Sequence, residues 1–200
     1  MVELIPMSTN KSKSSQSKSV NVLQTSIVRL SRIYFTLTAL YALVIIVSDA
    51  WDLITPEMLL NRWEMAAVLL GVTAIVWFLA RRTTNNALYY KILLLILVIL
   101  GIGFATFSVY TQRGMASKGV MLYVLPIITA AALYSRSAVM ATATVSVAAY
   151  TLAAVRYFVL NPAEGYKVEL YTEIGFYSGL LFIVAALVNV GIRALITNKK

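Results

Sequence analysis

Of 200 residues, 60% are hydrophobic and only 12% charged, against roughly 25% charged residues in ordinary globular chains, so there is too little polar surface to solvate a free particle. The formal charge of +9 does not mark a nucleic-acid binder, because the basic residues are spread among loops instead of gathered on one face. The absence of Cys and His excludes disulfides, thiol and imidazole chemistry and the best transition-metal ligands, and with them membrane proteases or phosphatases built on those groups.

In chain order, residues 1–22, with "STNKSKSSQSKS", are polar, Ser/Lys-rich and aperiodic, and predict a disordered basic tail. Residues 23–200 predict one transmembrane domain, since apolar runs recur and about 20 residues cross a ~30 Å hydrocarbon core. The first helix is expected over about 33–51, with the core "IYFTLTALYALVIIV". Its small-residue end, Ser48-Asp49-Ala50, loosely resembles a signal-peptide cleavage site, but the polar stretch before it is long for a signal. Further helices follow over 63–80, 88–110, 120–134, 138–160 and 171–196. The fold expected is all-α, a six-transmembrane-helix bundle.

Orientation follows from the distribution of Lys and Arg. With the N-terminus inside, twelve basic residues fall on the cytoplasmic side, from Lys11, Lys13 and Lys18 through Arg29, Arg32, Arg81, Arg82, Lys91 and Arg136 to Arg193, Lys199 and Lys200, and five fall outside, Arg62, Arg113, Lys118, Arg156 and Lys167. Both termini are therefore expected in the cytoplasm, with the bundle in the plasma (inner) membrane. Trp51, Trp63, Tyr110, Tyr157 and Tyr171 then lie at the outer boundary and Trp77, Phe78, Tyr89, Tyr90 and Tyr134 at the inner one, where amphipathic rings prefer to sit.

Several constellations invite a functional reading. The fifth helix, "AVMATATVSVAAYTLAA", is rich in small residues that let membrane helices approach closely, and is expected at the centre of the bundle. Gly175 and Gly179 form a G-x-x-x-G pair on the sixth helix, to be used in packing within the chain or in dimerisation. Pro126 interrupts the fourth helix, freeing the carbonyl near Leu122 and bending the segment. Arg156 and Glu173 lie about one turn inside the outer ends of neighbouring antiparallel helices and are expected to pair, with Asp49 and Glu64 lining the same region; simple interfacial solvation is the alternative. Asn189 and Arg193 share one face as the sixth helix reaches the cytoplasm and are candidates for a partner contact. No phosphate-binding glycine loop and no metal cluster occur, so no catalytic residue, metal or cofactor is assigned and no enzyme activity is expected.

Residues 119–153, "GVMLYVLPIITAAALYSRSAVMATATVSVAAYTLA", resemble the multi-helix N-terminal sensor region of bacterial sensor histidine kinases, through Leu122, Tyr123, Leu125, Pro126, Ile127, Ser135 and Arg136. The segment "GFYSGLLFIVAALVNVGIRAL" resembles the last membrane helix, which in that family feeds the signalling coiled coil. The resemblance spans about residues 85–196. It implies a bundle that perceives a ligand or a membrane state and relays it to a cytoplasmic or membrane partner; with no His in the sequence, kinase activity does not follow. Six helices with short loops and a basic inner face also suit a substrate-binding or membrane subunit of a small-molecule transporter, or an envelope scaffold. The partners expected are the lipid bilayer and another protein, with a homodimer as one form, and no nucleic acid.

Overall fold

The computed structural model describes residues 9–53, 55–82, 84, 86–112, 118–160 and 167–197. Among them the only regular structure is helical: α1 (Thr9–Ala50), α2 (Pro56–Ala80), α3 (Ala87–Thr111), a 3₁₀ segment (Lys118–Tyr123) running into α4 (Val124–Ala131), α5 (Arg136–Leu160) and α6 (Lys167–Thr197). Five of these helices are long and apolar enough to cross a membrane, which makes the chain a multi-pass helical membrane protein.

Local chemistry explains most of the helix ends. Thr55 caps α2 by accepting a hydrogen bond from the Met58 amide, with Pro56 in the first position and Glu57 in the first turn, an arrangement suited to the orphan amides and positive dipole there. α2 therefore starts seven residues before the expected Trp63. Asn86 caps α3 through Leu88. α1 closes with Asp52 in the left-handed region, φ 50°. The Leu53 amide donates to the Ser48 carbonyl and the Asp52 amide to the Asp49 carbonyl, the paired bonds of a Schellman cap.

Two expectations are corrected at this level. α1 begins at Thr9, so the polar arm expected to be disordered through residue 22 is helical from Thr9 onward; residues 1–8 lie outside the described residues. No Pro or Gly interrupts residues 9–50, and the packed turns at Val20, Leu23 and Ile27 supply the nucleus from which a helix propagates at low cost. The second correction concerns Pro126, which does not break a helix interior. It is the third residue of α4, where the backbone amide has no intrahelical partner anyway. What changes before it is the winding, from the tighter 3₁₀ turns of Lys118–Tyr123 to the α-helix from Val124.

Cross-chain contacts fix how neighbours run. Tyr34 meets Leu97, and Tyr41 meets Phe104 at 4.9 Å between ring centroids, so α1 and α3 are parallel. Tyr110 meets Tyr157 at 6.4 Å near the C-terminal ends of α3 and α5. Against these, the 118–131 segment is antiparallel to α3: Thr106 contacts Tyr123, and the site of Gly101 contacts Pro126. α5 and α6 are antiparallel: Tyr150 meets Tyr177, and Tyr134, just before α5, lies with Val188, Gly191 and Ile192 near the end of α6.

The central helix is α3. Its apolar window is 56% buried against 39% for α5 and 11% for α6, and it packs on α1, α2, the 118–131 segment and α5. The small residues of α5 serve close approach as expected, since Thr142, Ala143, Ser146, Ala153 and Ala154 form its buried stripe, but they turn α5 toward α3, α4 and α6 without placing it at the centre. An apolar helix takes the centre only if other helices cover it all round, and α5 leaves Met140, Val145, Leu152, Val155 and Val159 exposed.

Candidate functional site

The core of the bundle is polar at a few points, and at two of them hydroxyls join helices through defined partners. The Tyr34 hydroxyl of α1 donates to the Leu97 carbonyl of α3 at 3.1 Å and lies 3.3 Å from the Thr129 hydroxyl of α4. This three-helix junction is buried, with Tyr34 1% exposed. It depends on Gly101: a Cβ there would stand 2.6 Å from the Tyr34 hydroxyl and 3.4 Å from Pro126. One turn toward the end of α3, Thr106 donates to the Ile102 carbonyl at 2.7 Å, which leaves Tyr123 as donor in their 2.8 Å contact. Tyr123, Tyr150 and Tyr177 then form a ladder of edge-on rings, with centroids 6.2 and 6.1 Å apart, from the 3₁₀ segment through α5 to α6. Gly101 and this ladder were not singled out by sequence reasoning. A glycine inside a long apolar helix, without a capping role, is the signal that points to the first; the ladder joins residues 27 apart and leaves no local signal.

Beside the ladder, α3 and α5 flank an open groove of about 560 Å³, lined by Gly103, Thr106, Phe107 and Tyr110 on one side and Leu152, Ala153 and Arg156 on the other. It is apolar apart from the Thr106 and Tyr110 hydroxyls and the Arg156 guanidinium. A second groove of about 400 Å³ lies at the opposite end of the bundle, where Arg29 and Leu30 of α1, Tyr134 after α4, and Val188, Gly191 and Ile192 of α6 meet.

The expected polar site is divided. Arg156 turns to the α3/α5 groove and makes no ion pair with Glu173. Glu173 is half-buried on α6 and lies close enough to Tyr150 to act on its hydroxyl electrostatically. That hydroxyl is buried and has no hydrogen-bond partner among the described residues. Equal depth on adjacent helices was therefore an insufficient guide, because the helical phase points the two side chains to different neighbours. Asp49 and Glu64 stand exposed on α1 and α2, which pack chiefly on each other and on α3, so they do not line the same region as Arg156.

The G-x-x-x-G pair also sits differently. Gly175 and Gly179 are exposed, and a Cβ at either would meet nothing within 4 Å; they make no close crossing within the chain. Pro126 is buried and does pack, against Gly101 of α3. Asn189 is half-buried with its side-chain oxygen unpartnered, whereas Arg193, one turn on, is exposed and engaged in an interaction. No group of His, Cys, Asp and Glu suited to a metal occurs among the described residues.

No family model, curated protein or solved structure matches this chain.

Proposed function

We infer that the chain is a non-catalytic sensory module of a bacterial plasma membrane, which passes a change in helix arrangement from its membrane core to a cytoplasmic partner. In this reading it crosses the membrane six times with both termini inside. The crossing that completes the six, fourth in chain order, is the 118–131 segment. Six residues of 3₁₀ helix at about 2.0 Å and eight of α-helix at about 1.5 Å extend about 24 Å, close to a ~30 Å hydrocarbon core. The parallel course of α3 and α5 requires the chain between them to return. Twelve basic residues against five favour the end holding Arg29, Arg32, Arg81, Arg82 and Arg136 as the cytoplasmic one.

The observation that carries the relay reading is the continuity of α1. This helix of 42 residues is about 63 Å long, roughly twice the span of the hydrocarbon core. Inside the core it is fastened to α3 and α4 by Tyr34. At the inner end Gln24 donates from Nε2 to the Ala80 carbonyl of α2 at 3.0 Å, and Val20, Leu23 and Ile27 are buried. A shift of α3 is thus transmitted to a rigid rod that leaves the membrane, and coupling of this kind needs a contiguous, packed element.

The test is photo-cross-linking in native membranes from positions 29 and 193, followed by mass spectrometry. A kinase, response regulator or other signalling protein is the expected capture. Recovery of ATPase subunits with a second membrane subunit would replace the sensory reading by transport, and recovery of envelope-building proteins alone would replace it by a scaffold role.

A further inference from the structure

The geometry points to the α3/α5 groove as a binding site for an anionic phospholipid, its tail lying over Gly103 and its phosphate on Arg156. The inference concerns the ligand of the bundle and holds whichever protein the cytoplasmic end meets.

Three features of the groove converge on this ligand. First, it has length and an apolar lining. Gly103 and Tyr110 are seven residues apart on α3, about 10 Å along the axis, and Phe107, Leu152 and Ala153 line the stretch between them. Its volume of about 560 Å³ lies within the range of small-ligand clefts, roughly 300–1,000 Å³. Gly103 keeps the lower part open, since a Cβ built on it meets no atom within 4 Å. Second, the groove ends at a cation. Arg156 is exposed and has no ion-pair partner among the described residues, and a guanidinium at the edge of the hydrocarbon demands an anion or water. A phosphate diester suits its planar fork. Third, the depth is right for a lipid standing in the bilayer. Tyr110 and Tyr157 meet edge-on beside Arg156, and tyrosines of this kind sit at headgroup level. The head thus falls at the cation and the tail along the apolar walls.

Other occupants use only part of this site. A soluble anion leaves the apolar length unfilled, and a zwitterionic lipid offsets the attraction of Arg156 with its own cation. The helix of a second copy would have to bring an acidic side chain to Arg156 as well as fill the groove.

The test is native mass spectrometry of the purified full chain in micelles, offered phosphatidylglycerol or phosphatidylcholine with identical acyl chains. Wild type is expected to retain phosphatidylglycerol preferentially, and Arg156→Gln to lower that preference about tenfold, the scale of one charge-assisted hydrogen bond. Arg156→Lys should keep most of the preference, and Gly103→Leu should reduce retention of both lipids by filling the groove. Helicity and thermal midpoint in lipid-free micelles check that each variant folds; were Arg156→Gln lost, Arg156→Lys and Gly103→Leu decide between them. Equal retention of the two lipids by wild type, an undiminished preference in Arg156→Gln, or unchanged retention in Gly103→Leu would each overturn the proposal. So would displacement of the lipid by equimolar glycerol phosphate, which would make the site one for a soluble anion, or a dimer peak abolished by Gly103→Leu, which would assign the groove to a second copy.

Discussion

Gly101 carries more of the packing than its size suggests. It is buried, and the space a side chain would take is filled by the Tyr34 hydroxyl from α1 and by Pro126 from α4, so one missing methyl lets three helices meet. Gly101→Ala is expected to cost about 1–3 kcal/mol, the range for forcing a carbon into a filled core. Tyr34→Phe loses only the hydroxyl contacts, and membrane hydrogen bonds average about 0.6 kcal/mol, so it should be the milder change. Since the closest atom to the added carbon is that same hydroxyl, the double variant should lose less than the sum of the two singles. Thermal unfolding of the four proteins in micelles measures this, and strict additivity would show that the Tyr34 hydroxyl does not press on Gly101. Neither residue stood out in the sequence. Tyr34 reads as one more aromatic in a hydrophobic run, and its partners lie 63 and 95 residues away, beyond the reach of any local pattern.

Among the elements, α3, α5 and α6 begin and end within a few residues of their expected places, because lipid imposes both a minimum length and a uniform apolarity on a crossing helix. The larger misses fall where polar residues belong to a helix: the N-terminal part of α1, and the first two turns of α2, where Thr55, Pro56 and Glu57 spell a helix start that hydropathy alone passes over. The end of α1 is another such place. Its Schellman cap sets Asp52 at φ 50°, a conformation that glycine adopts freely and other L-residues reach at a cost of about 1–2 kcal/mol. Asp52→Gly is therefore expected to raise the thermal midpoint, held back in part by the greater freedom of glycine in the unfolded chain, and Asp52→Val to lower it. Indistinguishable midpoints for the two variants would contradict a left-handed cap. Of the candidate site, Arg156 was visible in the sequence as an ionisable residue near the hydrocarbon edge, but its direction was not, because helical phase relative to α3 and α6 is fixed only once the small stripe of α5 has chosen its neighbours.

For the whole molecule the deciding element is the short one. If the 118–131 segment crosses, the turn after α3 and the turn before α5 lie on opposite sides of the membrane; if it dips in and returns, they share a side. Its position argues for crossing, since the contacts from Thr106 with Tyr123 to Leu97 with Thr129, through Tyr34, run antiparallel over nine residues of α3. That covers about 14 Å of depth at 1.5 Å per residue. Because the sequence contains no cysteine, single cysteines report side without background. We expect cysteines replacing Leu53 and Gln112 to react with an impermeant maleimide on intact cells, and cysteines replacing Thr84 and Arg136 to react only after lysis. Labelling of Gln112→Cys and Arg136→Cys from the same side would remove the fourth crossing. A complete reversal of the pattern would keep six crossings and invert the bundle, placing the long N-terminal part of α1 outside and leaving the relay without a cytoplasmic output.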